Sequence, residues 1–136
     1  MTGRQLPPVA AVISFIDCIN RGDIDALGSL MTDDHELAVF DEQVLRGKGP
    51  NIAAWQGYAS AFPHYVIYPH AIAGLSESRV AVLGHTTGSH LGLGDQQERK
   101  LLLIWLAQVH NGQLRCWRLL KDTPARRLEL GLSQLA

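Results

Sequence analysis

The run from Ile19 to Phe40, I-N-R-G-D-I-D-A-L-G-S-L-M-T-D-D-H-E-L-A-V-F, constrains the fold more than any other segment of this chain. Gly22 suits the left-handed residue that closes a helix. Asp23 directly after it is a good N-cap for a second helix. Leu27, Leu30 and Met31 form that helix's apolar stripe, and Thr32-Asp33 ends it. His35 to Phe40 then reads as a short strand. A helix–glycine–helix–strand layout can build the closed end of a pocket and set titratable groups beside it.

The flanking segments fit the same plan. Pro8 suits a first helical position, since its missing N–H would have no partner there. Val9, Val12, Ile13 and Ile16 follow at helical spacing. Pro50, after the breaker Arg46 to Gly49, starts a third helix with Ile52, Trp55, Ala59 and Phe62 on one face, and Pro63 stops it. The remainder is β in character: strands are predicted over 65–72, 79–91, 97–110 and 113–122. Asn111-Gly112 is the strongest hairpin signal. Helices followed by a meander of long strands predict an α+β fold with helices on one face of the sheet.

With 136 residues, 46% of them hydrophobic, one domain over 1–136 is expected, with enough core to enclose a cavity. Twelve basic and 13 acidic residues leave a net charge of -1, which does not favour a nucleic-acid binder. The basic residues Arg115, Arg118, Lys121, Arg126 and Arg127 read as a solvated edge. The apolar stretch Val9 to Ile16 is far shorter than the roughly 20 residues of a membrane span. Cys18 and Cys116, with no C-x-x-C spacing, read as two buried reduced thiols in a cytoplasmic protein.

Several residues are candidates for chemistry. The glycines Gly84, Gly88, Gly92 and Gly94 lie on or after a strand with no helix expected behind them, so they read as points of sheet curvature rather than a phosphate cradle. His85 and His90, on one predicted strand, would be ~16 Å apart and on opposite faces. They cannot share one metal ion, and no metal is expected. Among Asp34, His35 and Glu36, alternation must turn at least one side chain inward, with Asp34 and Glu36 on one face and His35 on the other. A partly buried carboxylate or histidine there can exchange protons near neutrality. Asp122 follows a strand whose Leu114, Cys116 and Leu120 share its parity. It is either a carboxylate at a pocket mouth or a local turn former before Pro124. Trp117 has the opposite parity and shares a pocket with Asp122 only if a bulge intervenes. Trp55, Tyr58, Phe62, Trp105 and Trp117 are aromatic candidates for a pocket wall, as is His85, and Tyr58 is the best polar handle toward a ligand.

In order and spacing, N-R-G-D-I-D-A-L, T-D-D-H, A-F-P at 61–63, G-S-H-L-G at 88–92, W-L-A-Q-V-H-N-G-Q-L-R-C-W at 105–117 and D-T at 122–123 resemble the SnoaL-like group of the nuclear transport factor 2-like superfamily. The resemblance covers nearly the whole chain. It implies a cone: three helices wrapped by a strongly curved, mixed or mostly antiparallel sheet around a deep pocket, commonly in a homodimer that pairs through the sheet. Enzymes of this group include polyketide aldol cyclases, ketosteroid isomerases, dehydratases and epoxide hydrolases. The acid/base aspartate of the cyclases matches Asp122, and the group's G-T-H-x-G pattern matches Gly88 to Gly92 with Ser89 for threonine, which supports His90. The first-helix tyrosine of the isomerases has no counterpart; Phe15 and Cys18 lie in its neighbourhood. The expectation is an acid/base enzyme acting without cofactor on an apolar, carbonyl-bearing substrate. Asp122 and His90 would be catalytic, with Asp34 or His35 as a second titratable group. A non-catalytic ligand-binding or dimerisation domain is the alternative.

Overall fold

The computed structural model describes residues 6–132. Helix α1 (Pro8–Arg21) opens on Pro8 and closes at Gly22, whose φ of 68° is the left-handed stop. Helix α2 (Ile24–Ser29) is capped by Asp23, whose carboxylate accepts the Ala26 N–H at 3.1 Å. Strand β1 (Met31–Val39) and the two-residue β2 (Leu45–Arg46) come next, then α3 (Lys48–Ala61). Strands β3 (Val66–Gly74) and β4 (Arg79–Thr87) follow, then the short helix α4 (Asp95–Glu98). The described residues end with β5 (Leu103–His110), β6 (Gln113–Lys121) and helix α5 (Pro124–Glu129). The fold is α+β, as predicted.

The six strands form one curled, unclosed sheet in the order β2-β1-β6-β5-β4-β3. All neighbours are antiparallel except β1 and β6, which run parallel. The inner face packs on the helices: Val12, Phe15 and Ile16 of α1 meet Val82, Trp105 and Trp117 in one buried cluster. The outer face carries a second cluster, in which Leu130 and Leu132 cover Ala81, Leu83 and Ile104. The Asn20 side chain anchors α1 to β3, donating to the Ile67 carbonyl at 2.9 Å and accepting the Ile67 N–H at 2.8 Å.

Several boundaries differ from the sequence reading. Helix α2 ends at Ser29, and Leu30 to Thr32 are not helical; Met31 already pairs with Leu114 of β6. Strand pairing here overrides a helical stripe that is too short to stand alone. Strand β4 stops at Thr87 because Gly88 turns left-handed at φ 70°, so His90 lies in the following turn rather than on the strand. Residues 95–98 are helical, so a helical turn does follow Gly94. Helix α5 was not anticipated either. Cys116 is half-buried on the outer face rather than fully buried like Cys18. No described helix is long and apolar enough to cross a membrane.

Candidate functional site

The curl of the sheet leaves an inner cavity of about 180 Å³ between α3 and the strands. Leu37 and Val39 of β1 form one wall, Trp55 and Tyr58 of α3 the opposite one, and Trp105, Trp117 and Leu119 the floor. The two floor indoles stack with centroids 6.2 Å apart and planes 22° from parallel. Tyr58, Tyr65 and His90 also line an outer chamber of about 540 Å³, which continues to Thr86, Glu98, Lys121 and Asp122. Together the two chambers fit the size of small-molecule sites, apolar inside with a few polar groups at one end.

The polar groups form a connected arc. The backbone N–H of His90 donates to the Tyr58 hydroxyl at 3.1 Å, and that hydroxyl lies 2.9 Å from His90 Nδ1. The arrangement that uses every hydrogen has Tyr58 O–H donating to Nδ1, which leaves His90 with its proton on Nε2. Burial pushes the Tyr58 phenol above its ordinary pKa, so it stays a donor. Burial raises the Tyr65 phenol as well. Beside them, Glu98 is 1% exposed. Its carboxylate accepts the Thr86 hydroxyl on one oxygen and the Ser89 N–H, at 3.4 Å, on the other. The G-S-H turn is the hinge of this arc, since Gly88 lets Ser89 reach Glu98 and His90 reach Tyr58. Trp55 leaves its indole N–H buried without a partner among the described residues, a donor that a bound oxygen acceptor would satisfy.

The sequence-predicted residues divide. Trp55, Tyr58, Trp105, Trp117 and His90 converge on the inner cavity. Phe62 packs behind Tyr58, with centroids 4.7 Å apart, and lines a groove between α1 and α3 instead. Asp122 reaches the outer chamber, but both its oxygens are taken by Arg127 of α5 at 2.6 Å. That guanidinium holds the carboxyl below the usual carboxylate range, which disfavours Asp122 as a proton donor. Trp117 and Asp122 sit at different depths, floor and mouth, with no bulge between them. The parity group Leu114, Cys116 and Leu120 is broken instead at Arg115, where β5 and β6 slip register between Gln108 and Val109; Leu114 faces the inner core and Leu120 the outer cluster.

Asp34, His35 and His85 do not reach the cavity. Asp34 is exposed on the outer face, bound by the Thr32 hydroxyl at 2.8 Å and paired with Arg115 at 3.4 Å. The Thr32 bond is the main reason its carboxyl sits below the ordinary value. Its neighbour His35 does turn inward, but into solid core: it is fully buried against Phe15, with Nδ1 2.6 Å from the Leu114 carbonyl. His85 shares parity with Ala81 and Leu83 and so lies on the outer face, stacked on Tyr68. Glu98, Tyr65 and Thr86 were missed. The only sequence signal for Thr86 and Glu98 was proximity to the G-S-H turn, because the burial of Glu98 depends on how α4 folds back over β4, and Tyr65 had none.

His35 yields a testable consequence. Burial lowers its pKa below the ordinary 6.5. Above pH ~6.5 folded and unfolded chains both hold it neutral; below that, the unfolded chain takes up the proton and the folded one does not. Stability is therefore lost as pH falls from ~6.5 toward the folded pKa, by up to about 1.4 kcal/mol per pH unit. Urea denaturation at pH 7.5 and 5.5 checks this: the loss should shrink in His35→Gln, and an equal loss in both proteins refutes it.

Among the described residues, no group of three or more His, Cys, Asp or Glu side chains converges on a metal position. A profile of the SnoaL-like domain matches residues 12–117. No curated protein matches the sequence. Solved structures share the fold at low identity. An uncharacterised cystatin-fold protein from Novosphingobium aromaticivorans has a TM-score of 0.72 and 15% identity, over 85% of this chain and 99% of its own. An NTF2-like protein of unknown function from Cytophaga hutchinsonii has a TM-score of 0.69 and 11% identity, over 94% and 99%. An LEH-like epoxide hydrolase from M. tuberculosis has a TM-score of 0.63 and 14% identity, over 82% and 80%.

Proposed function

From the premise that this chain belongs to the SnoaL-like domain family, we propose that it takes a small, mostly apolar, carbonyl-bearing molecule into the inner cavity and moves protons on it. The reaction is of the cyclase, isomerase or dehydratase type and uses no cofactor. The observation that carries this reading is the Tyr58–His90 pair, set where the inner cavity meets the outer chamber. Tyr58 orients the imidazole, and His90 Nε2 exchanges the proton. Glu98 is the second acid/base group, and Trp55 donates to the substrate oxygen. Asp122 acts as a fixed anion that ties α5 to the mouth. The active species is a homodimer that pairs through the open part of the outer sheet face, where Glu36, Gln108, Arg115 and Arg118 line a shallow groove.

The all-aromatic and aliphatic interior of the inner cavity favours a second reading, a domain that holds a ligand without changing it. One set of measurements separates the two. On a panel of apolar ketones and aldehydes, His90→Ala and Tyr58→Phe should each lower turnover by roughly 10²-fold while remaining folded. Asp122→Asn should lower it less than about tenfold, short of the roughly 10²-fold lower bound of a general acid/base contribution. An equal or larger loss in Asp122→Asn moves the proton transfer to Asp122. No turnover, with a chemically unchanged ligand retained in native mass spectrometry, supports the binding reading.

A further inference from the structure

The outer face of the sheet carries a pair of histidines on the opposite side of β4 from the cavity. Strand β3 pairs with β4 from Val66↔Thr87 to Pro69↔Gly84, then slips by one residue so that Ala71 faces Leu83. His70 is the extra residue of that bulge. A bulge re-aims the side chain it carries, and here it lays His70 against His85 of the neighbouring strand. The imidazoles approach with His70 Nε2 2.6 Å from His85 Nδ1, centroids 4.9 Å apart and planes 74° apart. Tyr68 stacks on the far side of His85 at 4.7 Å and 16°, which fixes that ring. Gly84 is what allows the strands this close: a Cβ there would strike the Tyr68 carbonyl oxygen and sit 3.1 Å from Pro69 Cα. Intrastrand spacing hides this pair, because it forms only across strands.

We propose that His70 and His85 form a two-histidine site for one divalent transition-metal ion, zinc or copper, on the outer face of the sheet. Two imidazole nitrogens bound at ~2.0–2.1 Å with a near-tetrahedral angle lie ~3.3 Å apart. The present separation needs to open by only about 0.7 Å on that estimate, and His70 is exposed on an edge strand where a small side-chain rotation supplies it. In the neutral pair one bridging nitrogen carries a hydrogen. It moves to the other nitrogen of the same ring, so both bridging atoms present lone pairs and no proton is lost overall. Water or another molecule completes the coordination shell. Imidazole donors select zinc and copper over magnesium or calcium.

The charged groups facing the pair set its pH range. Burial comes first, then the neighbouring His70 and Arg99, in holding His85 below the ordinary histidine pKa, with Glu98 acting weakly the other way. His85 is thus neutral at pH 7, and acid that protonates it weakens binding. The positive charge of Arg99 also limits the affinity.

Titration calorimetry with Zn²⁺ and electron paramagnetic resonance with Cu²⁺ on the whole chain test the site. One ion per chain is expected, with two imidazole nitrogens on the copper. His70→Ala and His85→Ala should each weaken binding at least tenfold, while His64→Ala, an exposed histidine outside the pair, leaves it unchanged. Thermal melts confirm that the variants remain folded. Wild-type affinity in either single variant, or fewer than two coordinating imidazoles, overturns the site.

Discussion

Trp117→Ala is expected to destabilise the protein by about 3–5 kcal/mol, the range for removing a large buried aromatic side chain. The indole is 2% exposed, stacks on Trp105 and approaches Phe15 with ring centroids 5.1 Å apart. Its removal costs the transfer energy of the ring and also leaves a void continuous with the inner cavity. The neighbours cannot collapse into that void easily, because Trp105 is held from behind by the paired strands β4 and β6. For a chain of this length the melting temperature should fall by roughly 10–20 °C. Denaturant titration checks the value. A loss below about 1 kcal/mol would mean that the floor repacks and is not the rigid base described above. Trp117→Phe, which keeps most of the stacking area, should recover much of the loss.

Gly88→Ala should have the next largest effect, about 2–5 kcal/mol. A left-handed alanine costs about 1–2 kcal/mol by itself. The added methyl would also strike the His64 carbonyl oxygen and lie 2.6 Å from its carbon, and displacing that backbone costs about 1–3 kcal/mol more. Gly92→Ala is the internal control. It shares the left-handed φ, at 69°, but nothing lies within 4 Å of the new Cβ, so only the conformational penalty applies. Gly88→Ala should additionally separate His90 from Tyr58 and Ser89 from Glu98. Nuclear magnetic resonance of the His90 ring would register the broken pair. Equal stability losses in the two variants would show that the His64 contact relaxes freely.

Local signals carried much of this architecture. Pro8, Gly22 and Asp23 bound α1 and α2 as their chemistry dictates, and Asn111-Gly112 makes the β5–β6 turn with both φ angles positive. Simple alternation correctly separated His35 from Asp34 and Glu36. What it missed depended on contacts between distant segments. The slip between Met31 and Glu36 against β6, and that at Arg115, reset which side chains face inward. The ion pair that occupies Asp122 needs a helix whose apolar anchors among the described residues, Leu130 and Leu132, lie beyond its end. Glu98 has no motif; its role in the arc exists only because α4 folds back toward Thr86. The most conspicuous acidic segment thus belongs to the outer surface and the sealed end of the cone. The groups around the cavity mouth come from a glycine turn and one otherwise unremarked glutamate.

The Asn20 clamp has a consequence for how copies of this chain can meet. Among the described residues strand β3 is the long edge strand of the sheet, and an unpaired edge is a template for an incoming strand. The groups such a strand would need at Ile67, its N–H and its carbonyl, are both spent on one asparagine side chain. Two residues on, Pro69 has no N–H to offer, and the bulge at His70 then bends the strand away from straight pairing. The edge is thus closed to strand addition along its first half by one side chain of α1 and by the strand's own proline and bulge. Asn20→Ala would reopen that template while leaving every cavity residue in place, and aggregation by edge pairing would be its signature.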